Sequence, residues 1–281
     1  AHNTMLVYAP SENMSNFGNV NDGGQRIAGG EQSTIANLLS KNYKFGEVQG
    51  HEFGPDPLEP DYTYLKGDLT QAYSTSKMSD FDRSFLFYNL KDDTHPAAMI
   101  VFDRVVSTNA TFKKSWLLHG VAEPTVSGNQ TVFRNDTLGY NGKLTVDTLM
   151  PAAENTKIEV IGGLNNDFWV NGVNYPSTNK DGLSNPPNLD KIHDTDGYRI
   201  EVSPKTPATT DYFLNVLQVG ESNPDTPALP VQKIETTTHA GVQVADRVAV
   251  FSKNDGRTSQ PVTFRFTGSG TFKINVADVY A

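Results

Sequence analysis

The chain has 281 residues, 23 basic and 32 acidic side chains, a formal charge of −9, and no cysteine. Hydrophobic residues at 37% and aromatics at 10% exclude a wholly disordered chain, and this length buries a large core without staples. The charge argues against a general nucleic-acid binder, and the longest apolar run, Ala97–Phe102, is far short of the ~18–20 residues of a membrane helix; neither nucleic acid nor membrane is an expected partner.

Along the chain, the best helical candidate is Glu31–Leu39 (EQSTIANLL), short and β-branched, worth a turn or two. Strand-like runs dominate, set between Gly, Pro, Asn and Asp clusters. Thr63–Leu65 leads into Asp68–Tyr73, followed by Arg83–Tyr88, Ala97–Val106, Phe112–Leu118 and Lys143–Leu149. Lys157–Ile161, Tyr198–Val202, Tyr212–Val219, Arg247–Phe251, Val262–Phe266 and Phe272–Val276 complete the series. Phe112, Lys114, Trp116 and Leu118 share one face of a strand, and Tyr198, Ile200 and Val202 share another with Arg199 and Glu201 opposite. Many such strands joined by turn-rich loops predict an all-β fold, a large antiparallel β-sandwich of stacked sheets with little helix. Long loops are expected at Asn13–Gly30 and Asn171–Gly197, and without a repeat or linker the expectation is one domain, 1–281.

The six histidines, His2, His51, His95, His119, His193 and His239, show no local zinc spacing. The absence of cysteine removes disulfides, thiolate ligands and a cysteine nucleophile, while leaving the redox compartment open. No signal-peptide pattern is present in AHNTMLVYAP. No nucleophile elbow, Walker loop or dinucleotide fingerprint is found. Two Asn/Asp/Gly clusters, Asn19–Gly23 and Asp194–Gly197, fit Asx-type turns better than calcium loops. His119 ends its strand and reads as a hydrogen-bonded structural residue. Asp103 and Arg104 are adjacent on a strand, so they face opposite ways and cannot pair with each other; a buried Arg104 would need a carboxylate or carbonyl partner from a neighbouring strand, and sheet-edge hydrogen bonding is the favoured reading.

The segments His2-Asn3-Thr4-Met5-Leu6-Val7, Gly67–Tyr73, Arg83–Phe87, Val101–Val105 and Lys114–His119, in this order, resemble the C-terminal β-sheet domain of heparinase II/III-type polysaccharide lyases. His2-Asn3-Thr4-Met5-Leu6-Val7 is similar to the family's "HNT-hydrophobic" strand, Gly67–Tyr73 to its "GD…AY" segment, and Arg83–Phe87 to the strand after that. Val101–Val105 resembles its "DRV" strand and Lys114–His119 its "KxWLLH" strand; Gly139–Pro151, Ile161–Gly163, Tyr198–Pro204 and Phe213–Val219 follow in order. The resemblance implies an N-terminal α/α toroid packed on stacked antiparallel sheets, in enzymes that cleave uronate-containing polysaccharides such as alginate, heparin or heparan sulfate by β-elimination. A Tyr or His takes the C5 proton, a Tyr protonates the leaving oxygen, and Asn, Arg or His neutralise the developing charge.

No position of this chain matches the family's catalytic residues, so the chain alone is expected to be inactive, with the chemistry upstream in the toroid. Arg104, Lys113, Lys114 and His119 are expected to offer positive charge to an acidic polysaccharide. His2 resembles one ligand of the family's structural zinc site, whose other ligands would lie outside this chain. The implied location is periplasmic or secreted, of bacterial type. The alternative is a non-catalytic carbohydrate-binding or assembly β-sandwich, in which aromatics such as Trp169 or Tyr175 stack on sugar rings.

Overall fold

A computed structural model describes residues 3–13, 21–26, 34–39, 43–136, 139–163, 166, 169–174, 197–254 and 270–276. His2, Tyr175, His193, Val262–Phe266 and most of both expected long loops lie outside the described residues.

The described strands, in chain order, are β1 Met5–Tyr8, β2 Glu47–Gly54, β3 Tyr62–Asp68, β4 Met78–Asn89, β5 Ala97–Ser107 and β6 Lys113–Gly120. Next come β7 Thr125–Ser127, β8 Gln130–Asn135, β9 Gly142–Met150, β10 Thr156–Gly162, β11 Trp169–Val170 and β12 Val173–Asn174. The chain continues with β13 Tyr198–Pro204, β14 Thr210–Glu221, β15 Val231–Glu235, β16 His239–Val244, β17 Arg247–Ser252 and β18 Lys273–Val276. They build a stack of three sheets. The central one has eight strands, in the order β2-β3-β4-β5-β14-β9-β8-β7. One outer sheet runs β1-β6-β13-β10 and the other β15-β16-β17-β18, while β11 and β12 form a small hairpin. Every pairing is antiparallel except β17–β18. This is the all-β architecture expected from the alternating runs.

Each face of the central sheet has its own core. Phe81, Val101, Val105 and Phe213 pack against Met5, Val7, Trp116, Ile200 and Val202 of the first outer sheet. Leu86, Tyr88, Ile100, Phe102, Leu214 and Val216 pack against Ala240, Val242, Val244, Ala249 and Phe251 of the second. A strand covered on both faces needs apolar residues at successive positions, which is why the unbroken run AAMIVF sits in β5, mid-sheet.

Two expectations change in detail. The run Asp68–Tyr73 is not a continuous strand: β3 stops at Asp68, whose Oδ1 accepts the Thr70 N–H at 2.8 Å and starts a 3-10 turn over Thr70–Ala72. That turn drops Tyr73 into the core, edge-on to Phe81, with its hydroxyl donating to the Met5 carbonyl at 2.6 Å. The helix within Glu31–Leu39 is a single turn, Ile35–Leu38, capped by Thr34 Oγ1 accepting from the Asn37 N–H.

The segment before β2 is pinned by a buried lysine. The Lys77 ammonium donates to Glu12 Oε2 (2.6 Å), the Gly24 carbonyl (2.6 Å) and the Gly23 carbonyl (3.1 Å), so all three of its protons are used. Gly23 is required there: its φ is +85°, and a Cβ would stand 2.9 Å from the Tyr8 nitrogen. Asn21 and Asp22 close the Asx-type turns expected of their cluster, accepting from the Gly23 and Gly24 N–H groups.

Candidate functional site

The face of the β1-β6-β13-β10 sheet turned away from the central sheet gathers the chemistry; Ser115, Leu117, Arg199 and Glu201 are buried on it, and Lys113 is exposed. Strand alternation sends Trp116 and Leu118 inward and Lys113, Ser115, Leu117 and His119 outward on β6. On β13 the same rule turns Arg199 and Glu201 outward, and on β10 Lys157 and Glu159. Cross-strand register then sets His119 opposite Arg199, and Glu201 between Leu117 and Glu159.

Two glutamates opposite each other on neighbouring strands repel, and here intercalated cations offset that. Lys113 Nζ lies 3.3 Å from Glu159 and 3.4 Å from Glu201. Lys157 reaches Glu159 at 2.8 Å, and Arg199 clasps Glu201 at 2.9 Å. The result is an alternating ladder, Lys157–Glu159–Lys113–Glu201–Arg199, with three cations to two carboxylates. Partial burial would raise the Glu159 carboxyl, but Lys157 and Lys113 overcome it and hold it below its ordinary range. Lys113 and Lys157 are half-exposed, so their charge is open to an anionic ligand.

At the end of this ladder His119 is held in a defined state. The Asn3 side-chain oxygen accepts from the His119 backbone N–H at 2.8 Å, and the same oxygen faces His119 Nδ1 at 3.0 Å. A backbone N–H can only donate, so the Asn3 atom there is the oxygen and Nδ1 carries the proton; in the neutral form of the ring Nε2 is then the acceptor nitrogen. Asn3 is itself anchored from below. Its carbonyl accepts from Arg83 Nη1 at 3.2 Å, and Arg83 is locked to Asp103 by two bonds of 2.6 and 2.7 Å. Beside the ladder, the β11–β12 hairpin turns at Asn171-Gly172, both with positive φ, and brings the Trp169 carbonyl onto Arg199 Nη2 at 2.5 Å. Trp169 itself is 36% exposed.

The expected site residues thus part company. Lys113 and His119 share the outer surface. Lys114 points inward, 2% exposed, with its ammonium bound to Asp211 Oδ2 (2.8 Å) and the Ala208 carbonyl (2.5 Å). Burial still pushes the Asp211 carboxyl up, against the lowering by Lys114. Arg104 lies on the opposite face of the central sheet, paired with Asp80, while Asp103 faces the other core and pairs with Arg83, as adjacent strand residues must. Arg199, Glu201, Glu159 and Asn3 were not among the expected site residues; the polar alternation Arg199-x-Glu201 was the only signal for two of them.

Among the described residues, one group could supply a metal with three ligands: Asp68, Asp80 and Asp82, whose carboxylate oxygens lie within 4.8 Å of one another. It is an all-oxygen set with Lys66 3.6 Å from Asp82 and Arg104 against Asp80, which does not suit a structural zinc of nitrogen and sulfur ligands. His2 lies outside the described residues.

A likeness to a known family lies in the second outer sheet. Residues 233–281 match the Heparinase II C-terminal domain family. This segment spans most of β15 and all of β16–β18, and it is the family to which the sequence motifs pointed. No curated protein matches the chain. Among solved structures, the chain is similar to heparinase III, at 14% identity over 71% of this chain and 25% of that one, with a TM-score of 0.44. It is also similar to heparan sulfate lyase HepC from Pedobacter heparinus, at 12% identity over 84% of this chain and 35% of that one, TM-score 0.47. A third, the heparinase III BT4657 gene product, is 9% identical over 80% of this chain and 32% of that one, TM-score 0.40. The chain spans between a quarter and about a third of the length of these proteins.

Proposed function

We propose that this chain is the C-terminal sheet module of a lyase that cleaves uronate-containing polysaccharides of the heparan, heparin or alginate kind by β-elimination. The match of residues 233–281 to the Heparinase II C-terminal domain supports this reading. In it, an N-terminal toroid of the same protein supplies the base and acid, and the ladder surface of the first outer sheet forms one wall of the substrate cleft. Lys113 and Lys157 would pair with uronate carboxylates. His119, with its acceptor nitrogen set by Asn3, would take a hydrogen bond from a sugar hydroxyl. A structural zinc using His2 belongs to the same reading, as does a periplasmic or secreted location. No described helix is long and apolar enough to cross a membrane.

The second reading, a carbohydrate-binding module without catalysis, is favoured by the part-exposed Trp169 at the hairpin beside Arg199, an aromatic face of the kind that stacks on a pyranose. One experiment separates the two. The chain and its longer parent protein are incubated in parallel with heparan sulfate, heparin and alginate, following the ultraviolet absorbance of the C4–C5 double bond. Product from the parent alone supports the module reading. An inactive parent whose sheet module still retains the polymer on an affinity gel supports the binding reading. Turnover by the chain alone overturns the placement of the chemistry upstream.

A further inference from the structure

Among the described residues, strand β2 is the outermost strand of the central sheet at one side, and at eight residues it is the longest of the sheet-edge strands. An open edge presents unpaired N–H and C=O groups, and proteins blunt such edges by shortness, charge or proline. Here β7, β1 and β18 are only three or four residues long, and β10 and β15 carry the Lys157–Glu159 and Lys233–Glu235 pairs. β2 runs for eight residues, Glu47–Gly54, with two glutamates (Glu47 paired with Lys44, and Glu52) but no lysine or proline, and every residue from Glu47 to Phe53 is exposed or half-exposed.

The bulge in β2 decides what its side chains present. Val48 pairs with Gly67 and Gly50 with Lys66, so Gln49 is the extra residue. One residue of slip moves everything beyond it to the other face; Val48, His51 and Phe53 therefore share a single face, where a regular strand would separate Val48 from Phe53. The pairing across β3 and β4 puts Leu65 and Phe87 on that same face. Val48 is 61% and Phe53 52% exposed, and Leu65 and Phe87 are each more than 40% exposed. The apolar patch is continuous with a backbone edge that pairs with no other described strand, a combination that marks an interaction surface.

We infer that β2 is a homodimerisation strand, pairing antiparallel with β2 of a second copy about a two-fold axis through His51. With the bulge counted out, the strand reads symmetrically about that residue. Val48 then faces Phe53 of the other copy, Gly50 faces its Glu52, and Glu47 faces its Gly54. Every facing pair lies on a common face, and no glutamate meets a glutamate, although the chain as a whole carries −9. Two apolar Val–Phe pairs flank the axis, and the two central sheets join into one continuous sheet. A second copy fits this edge because the complement of the strand is the strand itself.

Sedimentation velocity and light scattering of the chain over a range of concentrations test the assignment, with the variants His51→Asp and Val48→Lys. His51→Asp sets two like charges against each other on the axis, and its expected effect is a dissociation constant raised at least tenfold, with Val48→Lys acting in the same direction. Both positions are exposed, so unchanged circular dichroism and melting temperature certify the fold. A chain that is monomeric at all concentrations overturns the inference, including the case in which another domain of a longer protein covers this edge. A dimer that survives both substitutions overturns it too, since the interface is then elsewhere.

Discussion

The Arg83–Asp103 pair lets the energetics of this sandwich be tested directly. Both side chains lie between the central sheet and the first outer sheet, Asp103 fully buried and Arg83 nearly so. Asp103→Asn keeps the shape but strips the guanidinium of its counter-charge and weakens two charge-assisted bonds, each of about 1.5–3 kcal/mol. Arg83 retains the Asn3 carbonyl and the rings of Phe81 and Phe85, 5.5 and 5.8 Å away, so the loss should sit near the lower part of the roughly 3–5 kcal/mol that breaking a buried pair costs. With an unfolding entropy of about 0.6 kcal/mol/K for a chain of this length, that is a fall in Tm of roughly 5–7 °C. Calorimetry at low and high salt measures it, and the drop should be the same in both because the pair is shielded from ions. The double variant Arg83→Met/Asp103→Leu leaves no unpaired charge, and should recover to within about 1–2 kcal/mol of the parent. A fall under 2 °C for Asp103→Asn, or a double variant as unstable as the single one, would refute the reasoning.

Three further outcomes are expected. His239 is buried at the start of β16 with Nε2 unpartnered among the described residues, and burial depresses its pKa; the unfolded chain then binds more protons just below pH 6.5, so stability should fall as pH drops through that region and level off above it. Urea midpoints against pH check this, and His239→Phe should flatten the slope. Lys114→Met strands the Asp211 carboxylate inside the sandwich and should cost about 2–4 kcal/mol in urea unfolding; a change below 1 kcal/mol would show that the lysine is not the partner it appears in the structure. Glu159→Gln, on the part-exposed ladder, should change stability by less than about 1 kcal/mol while tightening binding of a uronate polymer severalfold at low salt, by calorimetry, because it removes the anion that competes for Lys113 and Lys157. Unchanged or weaker binding would take the ladder out of the substrate surface.

Local pattern carried most of the strands. Runs such as RSFLFY, FKKSWLL and YRIEV alternate or stay apolar because their neighbours on both sides are fixed by burial, and β4, β6 and β13 lie where those runs stand. β2, by contrast, is polar and glycine-containing, EVQGHEFG, because an exposed edge imposes no burial pattern; nothing local marks it as a strand. The same limit applies to the site. Alternation along β6 already separates Lys113 from Lys114, and it is the chain's own chemistry that puts one outside and one inside. The partners that give each its role, Glu159 and Glu201 for the first and Asp211 for the second, arrive from strands 46 to 97 residues further along. His119 shows the division most clearly. Its place at the end of a strand can be read from WLLH, but its proton is assigned by Asn3, 116 residues away, which Arg83 and Asp103 hold in turn. Composition and periodicity determined the all-β class and which side chains share a face, since these depend on spacing within a strand, while the family likeness came from the order of motifs along the chain. The order of strands in the sheets, the ion ladder and the open edge at β2 were decided only by tertiary structure, because cross-strand register pairs residues that sequence keeps far apart.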